Sequence, residues 1–128
     1  MTTAAFEQAY AAPGALTLRR FEVEPDLGDM VTCRALLSSH HDDREIDRAA
    51  TAYGPIGAMS EILYGLNAGV EIVSFYTQPD GDQVAAYLQC TRDSARCWAF
   101  GRGRTSAEAA ARALISASNQ LAGPATLR

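Results

Sequence analysis

The stretch FEVEPDLGDMVTCRALL, residues 21–37, returns as FYTQPDGDQVAAYLQC, residues 75–90, once one residue is gapped. Each copy has an aromatic residue, a Pro-Asp step, a turn containing glycine and then an alternating apolar run. Each therefore reads as a strand, a turn and a strand running back. Further along, REIDRAATAYGPIGAMSEIL (44–63) lines up with ARCWAFGRGRTSAEAAARAL (95–114). Identities are few, but the order of elements agrees throughout, so the chain is an internal repeat.

Working outward, each half resolves into three strands and a helix. In the first half LTLRRFEVE alternates at Leu16 and Leu18, then slips by a residue before Phe21 and Val23; MVTCRALL and REIDRAATAY follow. In the second half VEIVSFYTQ, QVAAYLQC and ARCWAFGRG are separated by Asp80-Gly81 and Asp93-Ser94, and Asp-Gly between alternating runs is a hairpin signal. The first helix is predicted to open at Pro55, whose missing N–H costs nothing in a first turn. Ile56, Met59, Leu63 and Leu66 form its apolar stripe, and Asn67 with Gly69 ends it. Thr105 and Glu108 have capping-box spacing for the second helix, whose inner face is Ala110, Ala113, Leu114, Ala117 and Leu121. Small residues there allow close approach to a sheet or to a symmetry mate.

The expected fold is α+β: two pseudo-repeated β-β-β-α units, an antiparallel sheet with helices on one face. The sheet face left bare predicts a homodimer. A single domain over 15–121 divides into halves of about 15–68 and 69–121, with a flexible N-terminal arm over 1–14 and a C-terminal tail over 122–128.

A chain of 128 residues suffices for one domain with its own core. The net charge is −4, all eleven basic residues are Arg, and no basic run occurs, which argues against nucleic-acid or membrane-surface partners. No apolar stretch reaches the length of a membrane span, and the N-terminus lacks a signal pattern, so a cytoplasmic location is expected. The three cysteines lack metal-type spacing. If Asp93-Ser94 is a two-residue turn, Cys90 and Cys97 face each other, either as buried thiols or as a regulatory disulfide.

The polar cluster SSHHDDRE (38–45) holds metal-ligand types in His40, His41, Asp42 and Asp43, which would suit a metal hydrolase. Adjacent histidines on a strand point to opposite faces, and the chain has no others. The cluster also falls where the repeat puts a turn, so a solvated turn is expected, with no metal and no cofactor. There is no Gly-x-Ser-x-Gly, the cysteines lack a histidine partner, and Glu61 and Glu108 fall at solvent-facing helix positions. No catalytic residue is assigned. GRGRTS (101–106) lacks the Gly-Lys-Ser/Thr of a phosphate loop; Arg102 and Arg104 either receive an anion or decorate an exposed strand end. Trp98 and Tyr76 read as core or interface.

That leaves two strand-to-helix corners, 52–57 and 103–108, at equivalent places in the repeat. A pseudo-twofold axis would bring them near each other. In AATAYGPIGAMSEIL (49–63) the N–H groups of Ile56 and Gly57 are uncommitted donors at the positive end of a helix, which suits a carboxylate.

With these motifs in this order, residues 16–121 resemble the C-terminal regulatory (allosteric, dimerisation) domain of 2-isopropylmalate synthase, shared with citramalate synthases. YGPIGAMSEIL is similar to the family's Gly-Asn-Gly-Pro and apolar helix, and VEIVSFYTQ to its strand ending in an Asp-Tyr-x-Glu-His-like segment. WAFGRGRTSAEAAARALISASN is similar to its Gly-x-Gly and a helix with Ala, Arg and Asn, here Ala109, Arg112 and Asn119. The resemblance implies a homodimer with a feedback amino-acid site between subunits, leucine in the leucine-sensitive members. The ligand carboxylate would meet Ile56 and Gly57 beside Gly54 and Pro55, with Ala52, Tyr53, Ile72, Phe75, Arg104 and Ser106 as the remaining wall.

The chain departs from the family at Tyr53, where the family has Asn, and at Ala52, where it has Gly. It also departs across Ser74–Gln78 and at Arg104, where an apolar residue or Pro would stand. The guest is therefore an amino acid or a 2-oxo acid, with an occluded pocket in a dimerisation module as the alternative. The synthase's catalytic barrel is far longer than this chain, so the resemblance implies a non-catalytic domain acting in trans on a separate acyl-transferring synthase.

Overall fold

The structure, a computed structural model, describes residues 16–40 and 43–122. The expected arm over 1–14 and the tail beyond Ala122 lie outside those residues. Strands β1 (Leu16–Pro25), β2 (Val31–Ser39) and β3 (Arg44–Ala52) precede helix α1 (Pro55–Gly65). Strands β4 (Glu71–Asp80), β5 (Gln83–Arg92) and β6 (Ala95–Gly103) precede helix α2 (Ser106–Ala122). The β-β-β-α order occurs twice in an α+β fold.

Strand register reproduces the repeat residue by residue. Pro25 pairs with Val31 as Pro79 pairs with Val84, and Ser39 pairs with Arg44 as Arg92 pairs with Ala95. The slip read between Leu18 and Phe21 is a β-bulge between Leu18 and Arg20, and its counterpart lies between Ile72 and Ser74. Asp93 and Ser94 both adopt positive φ (49° and 72°), as a two-residue hairpin turn of the mirror-image type requires. The preceding turn is Gly81-Asp82, one residue later than expected, because Asp80 still pairs with Gln83 and Gly81 supplies the positive φ.

The six strands do not join into one layer. They form two antiparallel sheets, ordered β1-β2-β3 and β4-β5-β6. Helix α1 packs on β2 and β3, while α2 packs on β5 and β6 and reaches across to β1 and α1. Asn119 accepts the Leu16 N–H at 3.0 Å and donates to the Leu16 carbonyl at 2.9 Å, while Arg112, seven residues earlier on α2, donates to the Leu18 carbonyl at 3.2 Å. Two helix side chains thus satisfy three backbone groups at the start of β1.

The stripe expected on α2 is too narrow. Residues Ala109–Ala111 and Ala113–Ser118 are all buried, more than one full turn without a solvent face. Ser118 accordingly donates to the Ala68 carbonyl at 2.7 Å. The approach to β6 is closer still: a Cβ on Gly101 would fall on the backbone at Ala109 O and Ala113 N. Helix α1 starts at Pro55 as expected, but its buried face is Ala58, Met59, Ile62 and Leu63; of the expected stripe Ile56 and Leu66 are only half-buried, packed at the edge of the core. Asn67 (φ 60°) closes it; Ala68 N–H reaches Leu63 O at 2.8 Å and Asn67 N–H reaches Tyr64 O at 3.1 Å, the paired bonds of a Schellman end. Among the described residues no helix is long and apolar enough to cross a membrane.

Gly101→Ala should cost roughly 2–4 kcal/mol in urea unfolding, because the methyl group meets backbone that cannot rotate away. Gly65→Ala, with open space around its Cβ, should be neutral or stabilise by up to about 1 kcal/mol. Asn119→Ala should cost about 1–3 kcal/mol, with amide exchange at Leu16 accelerated beyond that of the β2–β3 amides.

Candidate functional site

Strand β3 ends in Ala52, and the chain turns through Tyr53 and Gly54 into α1. Gly54 is the N-cap in extended conformation (φ −160°), with no side-chain capping bond and no acidic residue in the first turn. The first intrahelical bond is Ala58 N–H to Gly54 O at 3.0 Å, so the Ile56 and Gly57 N–H groups lie ahead of the ladder. Gly57 is exposed, and a Cβ there would meet only Ala52 Cβ, at 3.5 Å. Beneath the corner, buried Cys33 of β2 points its thiol at the Pro55 carbonyl, 3.9 Å away, and burial pushes that thiol's pKa up.

The second corner has the same backbone plan but spends its donors. Thr105 Oγ1 accepts the Glu108 N–H at 3.1 Å, and Glu108 Oε1 accepts the Arg104 N–H at 2.8 Å. Glu108, expected to face solvent, is thus partly buried against Gly103, where a Cβ would stand 2.6 Å from its carboxylate. Arg102 is neither an anion receiver nor strand-end decoration. It bonds Asp80 at 2.7 Å and lies over the Phe100 ring at 5.6 Å.

Within one chain the ten expected site residues occupy three places. Ala52, Tyr53, Gly54, Pro55, Ile56 and Gly57 are contiguous at the first corner. Ile72 and Phe75 sit on β4, Ile72 half-buried and Phe75 exposed; Arg104 and Ser106 are exposed at the second corner. No hydrogen bond or ion pair among the described residues joins the three places. Tyr53 does not fill its corner: it is 82% exposed.

At the His-Asp cluster, His40 Nε2 lies 2.6 Å from Thr17 Oγ1 and Asp43 holds positive φ in a turn. His41 and Asp42 lie outside the described residues. Among the described residues no group of three or more His, Cys, Asp and Glu is placed to hold a metal.

One cleft escaped the sequence reading. About 490 Å³ opens at the far end of α1, between Tyr64, Asn67 and Glu71 on one side and Arg92 and Asp93 on the other. Arg92 donates to the Asn67 carbonyl at 3.1 Å and its Nε lies 3.9 Å from Asp93, while its Nη1 is buried with no hydrogen-bond partner among the described residues. Gly69 lets the Tyr64 ring lie against the backbone beside it, where a Cβ would displace the ring. Only the packing of the β5–β6 turn against the end of α1 assembles this cleft; no spacing in the sequence signals it.

Cys90 and Cys97 are cross-strand neighbours, as the Asp93-Ser94 turn requires, and both thiols are free. Burial, and then the neighbouring Cys97, push the Cys90 thiol up from near 9 to about 12. Neither the protein-family models nor the curated proteins compared with this chain gave a match.

Thr105→Ala should cost about 1 kcal/mol by removing the cap of α2. Above pH 9 an unfolded chain releases a thiol proton that folded Cys90 keeps until about pH 12, so stability falls as pH rises across that window. Urea titrations at pH 8, 9 and 10 should show that decline, slight between pH 8 and 9 and about 1 kcal/mol between pH 9 and 10 for one such thiol. Cys90→Ala should flatten it by that amount.

Proposed function

We propose that this chain is a non-catalytic regulatory domain that senses a small carboxylate-bearing metabolite, an amino acid or a 2-oxo acid. It works as a homodimer in the cytoplasm and acts in trans on a separate acyl-transferring synthase. The observation that carries this reading is the contrast between the corners. Two backbone-equivalent helix starts occur, one closed by Thr105 and Glu108, the other uncapped at Gly54 with Gly57 open to solvent. An uncapped N-terminus with no acidic residue in its first turn favours an anion by about 0.3–1 kcal/mol from the dipole, before any direct hydrogen bonds. The resemblance to 2-isopropylmalate synthase regulatory domains supports the same corner. A site shared between subunits would also account for Ile72, Phe75, Arg104 and Ser106 lying apart from it in one chain.

Calorimetric titration with branched-chain and other amino acids, and with 2-oxo acids, tests the reading. A true ligand at a hundred times its Kd should stabilise the protein by about 2.7 kcal/mol. Gly57→Asp should abolish that response while raising the melting temperature, because its carboxylate repels the ligand and favours the helix end. Arg92→Ala should leave the response intact; the opposite pattern would move the ligand to the Arg92 cleft. No heat and no thermal shift with any compound would remove the sensor reading. It would leave a dimerisation or interaction module, which exposed Val23, Val73, Phe75 and Tyr53 favour.

A further inference from the structure

Two three-stranded sheets have four edges, and three of them are guarded. The start of β1 is held by Asn119 and Arg112 of α2, and its later part carries Arg20, Glu22 and Glu24. Strand β3 carries Arg44, Glu45, Asp47 and Arg48; β6 packs against α2, with Gln120 donating to the Trp98 carbonyl at 3.0 Å. Charged side chains and covering helices are the usual means of stopping an edge from pairing with another chain. Strand β4 has neither. It has no charge between Glu71 and Asp80, and its substantial contacts among the described elements are with β5 alone. Val73, Phe75 and Tyr76 on it are 50%, 43% and 50% exposed.

The direction in which each β4 residue bonds follows from the turn. The two-residue turn at Gly81-Asp82 makes Asp80 and Gln83 a pair that exchanges both its hydrogen bonds. The register then runs without interruption to Ser74, so Gln78, Tyr76 and Ser74 bond inward to β5. Pro79, Thr77 and Phe75 turn their backbone groups to the free edge. Proline, with no N–H to donate, stands at one of the outward positions, as suits an edge strand. The bulge between Ile72 and Ser74 closes the stretch at the other end. What remains is a regular segment, 74–78, in which Phe75 and Thr77 both donate and accept outward and lie symmetrically about Tyr76.

That symmetry fits the segment to its own copy. With a twofold axis through Tyr76, an antiparallel second copy places its Thr77 opposite Phe75 and its Phe75 opposite Thr77, and each pair exchanges both hydrogen bonds. An axis through Thr77 would set Phe75 against Pro79, which has no donor; one through Phe75 would set Thr77 against Val73, in the bulge. The Tyr76 axis also sets Asp80 against Ile72, so no acid faces its like. Gly101 is pressed on α2, so the neighbouring Phe100, and Tyr87 and Tyr76 paired beside it, point to the sheet's other face. There the Tyr76 ring, stacked on Tyr87 with centroids 4.8 Å apart, meets its copy. We propose that β4 pairs antiparallel with β4 of a second copy about a twofold axis at Tyr76, joining the second sheets of both chains into one of six strands. This gives the regulatory reading's homodimer its interface; it rests on that homodimer and not on a ligand at Gly57.

Amide hydrogen exchange on the full chain, read at concentrations above and below the dimer's Kd set by sedimentation, tests the pairing. The Phe75 and Thr77 amides should be protected in the dimer and exchange freely on dilution, while Tyr76, bonded to β5, stays protected throughout. Thr77→Pro removes an outward donor and no bond to β5, so it should keep the circular dichroism spectrum and raise the Kd roughly tenfold or more. Tyr76→Cys should form an inter-chain disulfide with glutathione disulfide, because opposed residues without mutual hydrogen bonds lie about 4.5 Å apart at Cα. A dimer in which Phe75 and Thr77 exchange freely overturns this interface and leaves the homodimer standing. A chain that is monomeric at every concentration overturns both. If Thr77→Pro does not fold, exchange in the wild-type protein decides.

Discussion

Helix α2 lies so near β6 that one methyl group at Gly101 would occupy the position of helix backbone. Glycine at 101 and 103, and alanine along α2, permit that approach, and everything else in the tertiary structure is measured from it. Once α2 is set this deep, its remaining sides face the first half of the chain. Asn119 and Arg112 then meet the open edge of β1, and Ser118 meets the Ala68 carbonyl after α1. The second half therefore organises the first through one helix, whose side chains take up backbone groups of β1 at Leu16 and Leu18.

The corners show how a repeat acquires distinct roles without changing its backbone. Both enter a helix at equivalent positions, Pro55 and Ser106. Thr105 and Glu108 close one with their own side chains; Gly54 and Pro55 carry no group able to do so at the other. Free donors at a helix start are usually satisfied by water, and an anion takes their place at little cost. The Arg92 cleft at the opposite end of α1 has a different character, a single cation flanked by Glu71 and Asp93.

Divergence is larger on the outer sheet faces. Glu22 and Arg34 face each other across strands in water, as suits a solvated antiparallel sheet. Tyr76, Tyr87 and Phe100 hold the equivalent positions in the second sheet, and burying two of those rings accounts for more apolar area than the whole charged row could supply. The bulges after Leu18 and Ile72, in contrast, are kept in both halves, since they set which strand residues turn inward afterwards.

Local signals made much of this legible. Alternation, the slip before Phe21, Asp93-Ser94, Pro55, Asn67 and the Thr105–Glu108 pair each act over a few residues, so the sequence alone determined the strands, turns, helix ends and the repeat. It also marked the 52–57 corner, because an absent cap can be read from residue types. It did not determine that the strands divide into two sheets, that α2 is enclosed, or that Arg92 lines a cleft. Those outcomes depend on contacts between residues up to 103 positions apart, such as Leu16 with Asn119. Only the packing of one helix against two sheets decides which polar groups are left for one another, and no periodicity within a single segment carries that information.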